Sequence, residues 1–354
     1  MKWKCNHCGF EADAFSEYHW RCPRCGGPLD LVYDGKLEKT SSKNIWEKYG
    51  GTIPLKPEKT RREGNTPLVE EKIDGMTLLF KLEYLNPGGS FKDRGSALAI
   101  YYAYKLGFKN VIEDTSGNTG ISVALYSRLY DLKTRIYMPK TAPPGKKKVI
   151  KALNAEIIEA PTRGDAAEMV LKEALTGAYY VAHTWSYFYI MGASTIAWEV
   201  LEEDVPDYVI SPIGSGGLFL GLVKGFEKAL EAGWITKMPR FIGVQGYSTQ
   251  PVYKAFKGVT QPGEDSSLAD GIMVPNPPRL NEIVDALHKY QGDVILVGNT
   301  EILRAWRELW ELGFLVEPTS ASIYAALEKI KNQLSGKKVL LVLTGSGLKN
   351  IPDI

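Results

Sequence analysis

From Gly64 onward the chain alternates short apolar segments with stretches of helical period, and this alternation limits the fold more than any other feature. The apolar segments are residues 77–84, 110–114, 134–138, 156–160, 179–182, 208–211, 240–245 and 338–344, and amphipathic stretches such as 95–106, 119–130, 165–175 and 300–312 lie between them. Strands separated by helices pair in parallel, because a strand returning in the same direction needs a crossover and the helix supplies it. The expected class is α/β, with mainly parallel sheets whose ligands bind where strand ends meet helix N-termini. A length of 354 residues accommodates two such domains, and 44% hydrophobic with 24% charged residues excludes disorder as the main state.

Charge and hydropathy narrow the function. Lys plus Arg (43) against Asp plus Glu (41) leaves a formal +2, too balanced for a protein that covers a phosphate backbone along its length. No nucleic-acid partner is expected. No apolar run approaches the roughly 20 residues that span a bilayer, and Met1-Lys2-Trp3-Lys4-Cys5 opens without an apolar signal core, so a cytoplasmic location without a membrane partner is expected. Sparse Asn and Gln beside plentiful Lys and Glu give a compositional hint of heat adaptation.

All four cysteines fall in the first 25 residues, as Cys5-x2-Cys8 and Cys22-x2-Cys25. Each pair sets two thiolates on one tight knuckle, and two knuckles close a tetrahedron of sulfur ligands, the pattern of a structural Zn2+ ribbon. Two disulfides and a redox Cys-x-x-Cys are the alternatives; the lack of a secretory signal disfavours the first, and the lack of a thioredoxin-like strand before the motif the second. His7 and His19 are alternative ligands that four cysteines leave at the surface. Residues 1–34 are expected to be the ribbon and residues 35–63, charged and rich in Lys, Gly and Pro, a linker.

Four glycine-containing turns stand at strand-to-helix junctions: residues 86–95, 115–120, 214–217 and 344–347. Each is a potential nest of backbone N–H groups for a phosphate or carboxylate, although any single one is an ordinary connector. Gly214-x-Gly216 lacks the third glycine of a dinucleotide fingerprint, since Phe219 stands there, and no P-loop sequence occurs. Lys92 follows a Pro87-Gly88-Gly89 turn at a helix start, with Arg94 two residues on. Positive potential and packing there would lower its proton affinity, the condition for a Schiff-base amine, whereas the plain alternative is a solvated first-turn lysine.

Five segments in order carry a resemblance: Ser90-Phe91-Lys92-Asp93-Arg94-Gly95 after Asn86-Pro87; Ser116-Gly117-Asn118-Thr119; Gly214-Ser215-Gly216-Gly217; Glu317-Pro318-Thr319-Ser320-Ala321; and Leu343-Thr344-Gly345-Ser346-Gly347-Leu348-Lys349. Together they resemble the fold-type II pyridoxal-phosphate enzymes, and within them the threonine synthase family, archaeal-type members of which carry a similar N-terminal ribbon. The resemblance implies a large domain of residues 64–95 and 196–354, a small substrate-binding domain of residues 96–195, and pyridoxal 5′-phosphate in the cleft between. It makes Lys92 the internal-aldimine lysine and proton shuttle, sets Asn118 on the pyridoxal 3′-oxygen, and puts Gly214, Ser215, Gly216 and Gly217 around the cofactor phosphate. Thr344 would meet the pyridine nitrogen, a neutral partner that weakens the ring as an electron sink and suits elimination and replacement. Thr115, Ser116, Thr119 and Gly120 would receive the substrate α-carboxylate.

Members of that family convert O-phospho-L-homoserine and water to L-threonine and phosphate, so the resemblance implies a lyase of threonine and amino-acid biosynthesis with a phosphoester amino-acid substrate. A homodimer is expected by analogy. One departure opens an alternative. Where the family carries Asn-Pro-Tyr/Phe-Arg before Glu-Gly-Gln-Lys-Thr, this chain has Ser186-Tyr187-Phe188-Tyr189, so that Tyr189 replaces the arginine that grips phosphate, and Ser346 stands where His is frequent. Lys140, Lys146, Lys147 and Lys148 either compensate or form a solvated basic loop. The alternative in the same fold is β-replacement or β-elimination on phosphoserine, serine or threonine, as in cysteate synthase, cysteine synthase or dehydratase relatives. A nucleic-acid-binding or scaffold protein with an inactive enzyme body is the alternative of another class; Lys92 and Asn118 argue against it.

Overall fold

The computed structural model describes residues 1–115, 117–349 and 351. In chain order its elements begin with β1 (Lys2–Lys4), β2 (Glu11–Asp13), β3 (Asp30–Val32), α1 (Ile45–Lys48), β4 (Leu68–Ile73), β5 (Met76–Lys81), α2 (Lys92–Lys105), β6 (Asn110–Asp114) and α3 (Asn118–Leu129). Next come β7 (Lys133–Pro139), α4 (Pro144–Ala152), β8 (Glu156–Ala160), α5 (Arg163–Ala174), β9 (Tyr179–Tyr180), α6 (Tyr187–Leu201), β10 (Tyr208–Pro212) and α7 (Gly217–Glu231). The chain closes with β11 (Arg240–Gly246), α8 (Pro251–Lys257), α9 (Leu280–Lys289), β12 (Asp293–Val297), α10 (Asn299–Glu311), α11 (Pro318–Ile330) and β13 (Lys338–Val342). The described residues divide into two compact units, one of residues 1–64 and 86–192, the other of residues 65–85 and 193–354. The α/β class with parallel sheets holds in both.

In the first unit four parallel strands run in the order β8-β7-β6-β9. Ile112, Tyr137, Ala160 and Tyr180 of the sheet pack with Ala166 and Val170 of α5, a helix started by the reciprocal cap of Thr162 and Asp165. The ribbon is a separate antiparallel sheet, β2-β1-β3, and aromatic side chains fasten it to this unit. Trp3 Nε1 donates to Tyr102 Oη at 3.2 Å, the Trp3 ring meets Phe188 edge-on at 5.6 Å, the Tyr18 hydroxyl donates to the Tyr180 carbonyl, and Trp20 meets Trp185 at 5.5 Å. A module too small to bury its own core here borrows one.

Two boundaries differ from those expected from sequence. Residues 35–63 are packed rather than extended as a linker: Leu37, Ile45, Trp46, Tyr49, Ile53 and Leu55 are buried, and Trp46 Nε1 donates to Glu63 Oε1 at 2.5 Å. The density of charge in that segment hid its apolar anchors, which are spaced without a regular period. The expected boundary at residue 95 falls inside α2, which belongs wholly to the first unit.

The second unit holds a six-stranded sheet, β12-β11-β10-β13-β5-β4. All neighbours pair in parallel except β4, which returns antiparallel beside β5. Strand β5 joins the sheet through β13, with Thr77 opposite Lys338 and Lys81 opposite Val342. Leu78 and Phe80 of β5 and Val339 and Leu341 of β13 enter one core with Trp306, Phe314, Ile323 and Leu327. Among the described residues, no helix is long and apolar enough to cross a membrane.

Candidate cofactor and metal sites

The ribbon cysteines converge. Sγ atoms of Cys5, Cys8, Cys22 and Cys25 all lie within 4.8 Å of one another, and all four thiols are free rather than joined in disulfides. Four soft donors at this spacing fit a tetrahedral zinc ion with no open position, and the group fits on the chemistry of its donor set.

Lys92 is the first residue of α2, after a turn closed by the Gly89 N–H donating to the Asn86 carbonyl at 2.7 Å. Asp93 is fully buried, and its Oδ2 accepts from the Gly88 N–H at 2.5 Å, which ties the helix start to the turn. The Lys92 ammonium stands 4.8 Å from the centre of the Phe91 ring and 5.7 Å from that of Tyr189. Ser90, two residues earlier, is fully buried, and its hydroxyl has no partner among the described residues. A buried hydroxyl without a partner, two residues before the lysine in the chain, fits a site that takes a polar group.

Asn118 opens α3 and follows Gly117, which caps the helix without a side-chain hydrogen bond. Thr115, Thr119 and Gly120 are buried around that helix start, and Thr115 Oγ1 accepts from the Gly117 N–H at 3.0 Å. Ser116 lies outside the described residues. The lysine run is not uniform. Lys146 is only 4% exposed, whereas Lys147 pairs with Glu159 at 2.7 Å and Lys148 is exposed.

In the second unit Gly214, Ser215, Gly216 and Gly217 join β10 to α7. Gly216 caps α7 in the left-handed region, at φ 91°. A Cβ there would lie 2.3 Å from Ile283 Cδ1, and one on Gly214 would lie 2.3 Å from the Gly271 carbonyl oxygen. Only glycine satisfies both constraints. The result is an uncapped helix N-terminus with bare backbone in front of it, which fits the phosphate of pyridoxal phosphate. Thr344 follows β13, buried, with its Oγ1 3.0 Å from Ser320 Oγ. Ser320 also accepts from the Gly345 N–H at 3.0 Å, so the second residue of the hydroxyl pair sits in the Glu317–Ala321 segment, to which the sequence reading gave no separate role.

Two further residues near Lys92 escaped the sequence reading. Glu113 and His183 are both buried, with His183 Nδ1 2.5 Å from Glu113 Oε1. Desolvation, helped by the charge of Asp114, holds the Glu113 carboxyl well above the usual carboxylate range. Burial, with repulsion from Lys92 and Arg163, pushes His183 well below the usual imidazole value. The one available signal was an acid directly before the Asp114–Thr119 turn. Tyr189, where the family resemblance implies an arginine, is 2% exposed. Its hydroxyl lies 2.8 Å from Ser96 Oγ, and its ring occupies the space that a Cβ on Gly95 would need.

Comparison with known proteins agrees with this geometry. Residues 59–345 match the family model described as pyridoxal-phosphate dependent enzyme, so the chain belongs to that family. Two curated archaeal proteins extend the match. Threonine synthase of Methanosarcina acetivorans is 31% identical over 98% of this chain and 92% of its own length, and that of Methanocaldococcus jannaschii is 30% identical over 100% of this chain and 94% of its own. The chain is a member of the threonine synthase family. Among solved structures, O-acetylserine dependent cystathionine beta-synthase from Helicobacter pylori superposes with a TM-score of 0.69 at 26% identity, covering 82% of this chain and 96% of that one.

Proposed function

We propose that this chain is a threonine synthase, a lyase that converts O-phospho-L-homoserine and water to L-threonine and phosphate. One observation carries the reading: the archaeal threonine synthases align over 98% and 100% of the chain, taking in the cysteine-bearing segment as well as the body. Pyridoxal phosphate, when bound, supplies the electron sink that lets protons leave the carbons next to the amino group. Lys92 Nζ would hold the cofactor and would carry the α and β protons of the substrate. Asn118 would donate to the ring 3′-oxygen, Gly214, Ser215, Gly216 and Gly217 would bind the phosphate, and Thr344, steadied by Ser320, would meet the pyridine nitrogen. Thr115, Ser116, Thr119 and Gly120 receive the α-carboxylate at the start of α3. Phosphate leaves the γ carbon and water adds at the β carbon, with Lys146 as the cation toward the phosphate. The four cysteines hold a structural zinc ion. A cytoplasmic homodimer completes the proposal, on analogy with the family.

A second reading, β-elimination or β-replacement on phosphoserine, serine or threonine, has one observation in its favour: Tyr189 stands where family members carry the phosphate-gripping arginine, and its hydroxyl is engaged by Ser96. One experiment separates the two. The purified holoenzyme is mixed in turn with O-phosphohomoserine, O-phosphoserine, serine and threonine, and release of phosphate, threonine, pyruvate and 2-oxobutyrate is followed. Equimolar phosphate and threonine from phosphohomoserine support the first reading. Faster release of pyruvate or 2-oxobutyrate from the unphosphorylated amino acids replaces it with the second.

A further inference from the structure

Parallel pairing of β6 with β9, Val111 opposite Tyr179 and Ile112 opposite Tyr180, brings Glu113 and His183 together beyond those rungs. The carboxylate holds the imidazole at two points: Oε1 lies 2.5 Å from Nδ1, and Oε2 accepts from the His183 backbone N–H at 3.4 Å. Neither side chain exceeds 9% exposure. The other ring nitrogen, Nε2, makes no hydrogen bond among the described residues. His183 meets the Tyr189 ring edge-on at 6.0 Å, and Lys92 Nζ stands 5.7 Å from the centre of that ring. One aromatic ring therefore has the lysine and the imidazole ring as neighbours.

The charged and titratable groups that act on this pair are Tyr18 of the ribbon, Lys92 of α2, Asp114 of β6, Arg163 of α5, Tyr179 and Tyr180 of β9, and Tyr189 of α6. Desolvation dominates, and it favours a carboxylic acid beside a neutral imidazole. In that state the acid would donate to Nδ1 and the ring's own proton would sit on Nε2.

We propose that Glu113 and His183 form a proton-delivering dyad in which His183 Nε2 protonates the departing oxygen of the substrate. As the carbon–oxygen bond breaks, its electron pair goes to the oxygen, which takes the proton from Nε2. Glu113 passes its carboxyl proton to Nδ1. The pair is left as a carboxylate and an Nδ1–H imidazole, and one proton from water resets it. His183 is the catalytic residue and Glu113 its positioning residue. The inference rests on the functional reading only in that an oxygen leaving group departs near Lys92, which both readings share.

Two measurements test it. Ring nitrogen-15 spectra of the labelled apoprotein and holoenzyme, with His183 identified by its loss in His183→Gln, should show a neutral ring protonated on Nε2 that does not titrate between about pH 5.5 and 8. Kinetics should then compare the hydroxyl, phosphate and acetyl-ester forms of the amino acid that the wild type turns over. His183→Gln should lower kcat by about 10²- to 10³-fold for the most basic leaving group, with the loss shrinking to about tenfold for the acetyl ester. Glu113→Gln should give the same ranking. A ring that is charged or protonated on Nδ1, or equal losses with every leaving group, overturns the dyad alone. Failure of the wild type to turn over any amino acid with an oxygen leaving group overturns the dyad together with the functional reading.

Discussion

The Lys146 side chain passes directly over Gly117, so that a Cβ at residue 117 would fall 2.1 Å from Lys146 Cδ. This contact brings one lysine of the basic run to the start of α3, where the substrate carboxylate is proposed to bind. If Lys146 is the cation toward the substrate phosphate, Lys146→Met should raise the apparent KM for phosphohomoserine by about 10- to 100-fold, as for a lost charged contact of roughly 1.5 to 3 kcal/mol. Lys148→Met should change it by less than about twofold, since exposed charges contribute little. Steady-state kinetics of the two variants read this directly, and equal effects would remove the distinction between them.

Lys92 supports a chemical prediction. Borohydride treatment of the holoenzyme should fix the cofactor on Lys92, found by peptide mapping, and Lys92→Ala should fold normally yet lose turnover, because one amine serves both attachment and proton transfer. Label on a different lysine would refute the assignment.

The metal prediction follows from the way the ribbon is fastened. About one zinc ion per chain should be found, and a chelator should release it. Because Trp3 and Trp20 pack on Phe188, Tyr180 and Trp185, release should shift tryptophan fluorescence to the red and lower the thermal midpoint. Turnover of the protein that stays folded should persist, since a site of four thiolates has no position for substrate. A metal-free preparation with unchanged fluorescence would contradict this.

Burial of Glu113 and His183 sets a pH signature of stability. The native pair keeps one proton, on Glu113, while the unfolded pair releases the glutamate proton above about pH 4.3 and holds the histidine proton up to about pH 6.5. Between those values both states carry one proton and the pair adds no slope. Above about pH 6.5 the unfolded pair is bare, so wild-type stability falls by up to about 1.4 kcal/mol per pH unit until the native proton is lost. In Glu113→Gln the native pair carries none, so stability should instead fall as pH drops below about 6.5. Denaturant midpoints of both proteins across this range check the reversal of slope.

The placement of short, glycine-marked turns was readable from the sequence: Lys92, Asn118 and Gly214–Gly217 stand at helix starts and the four cysteines in or beside tight turns. What stayed hidden depends on packing. Helix α6 is apolar along most of its length and carries no stripe from which a period can be read. Strand β12 is four apolar residues after an acid, too short to distinguish from buried helix, and β4 is acidic and half-exposed at the sheet edge. The Glu113–His183 pair joins residues 70 apart, and only the pairing of β6 with β9 makes them neighbours.

The pairing of β5 with β13 has a consequence for synthesis. Strand β5 leaves the ribosome with its antiparallel neighbour β4 in hand, but its parallel partner follows about 260 residues later. At roughly 5 to 20 residues per second, the apolar face of Leu78 and Phe80 waits about 13 to 50 s for Val339 and Leu341. The hairpin is in the meantime an unsatisfied sheet edge, open to pairing with neighbouring chains on a polysome. Residues 86–192, made during that wait, can complete their own four-stranded sheet first. Nascent-chain truncations that stop before residue 338 should therefore be bound by chaperones through the hairpin, and release should coincide with the emergence of β13.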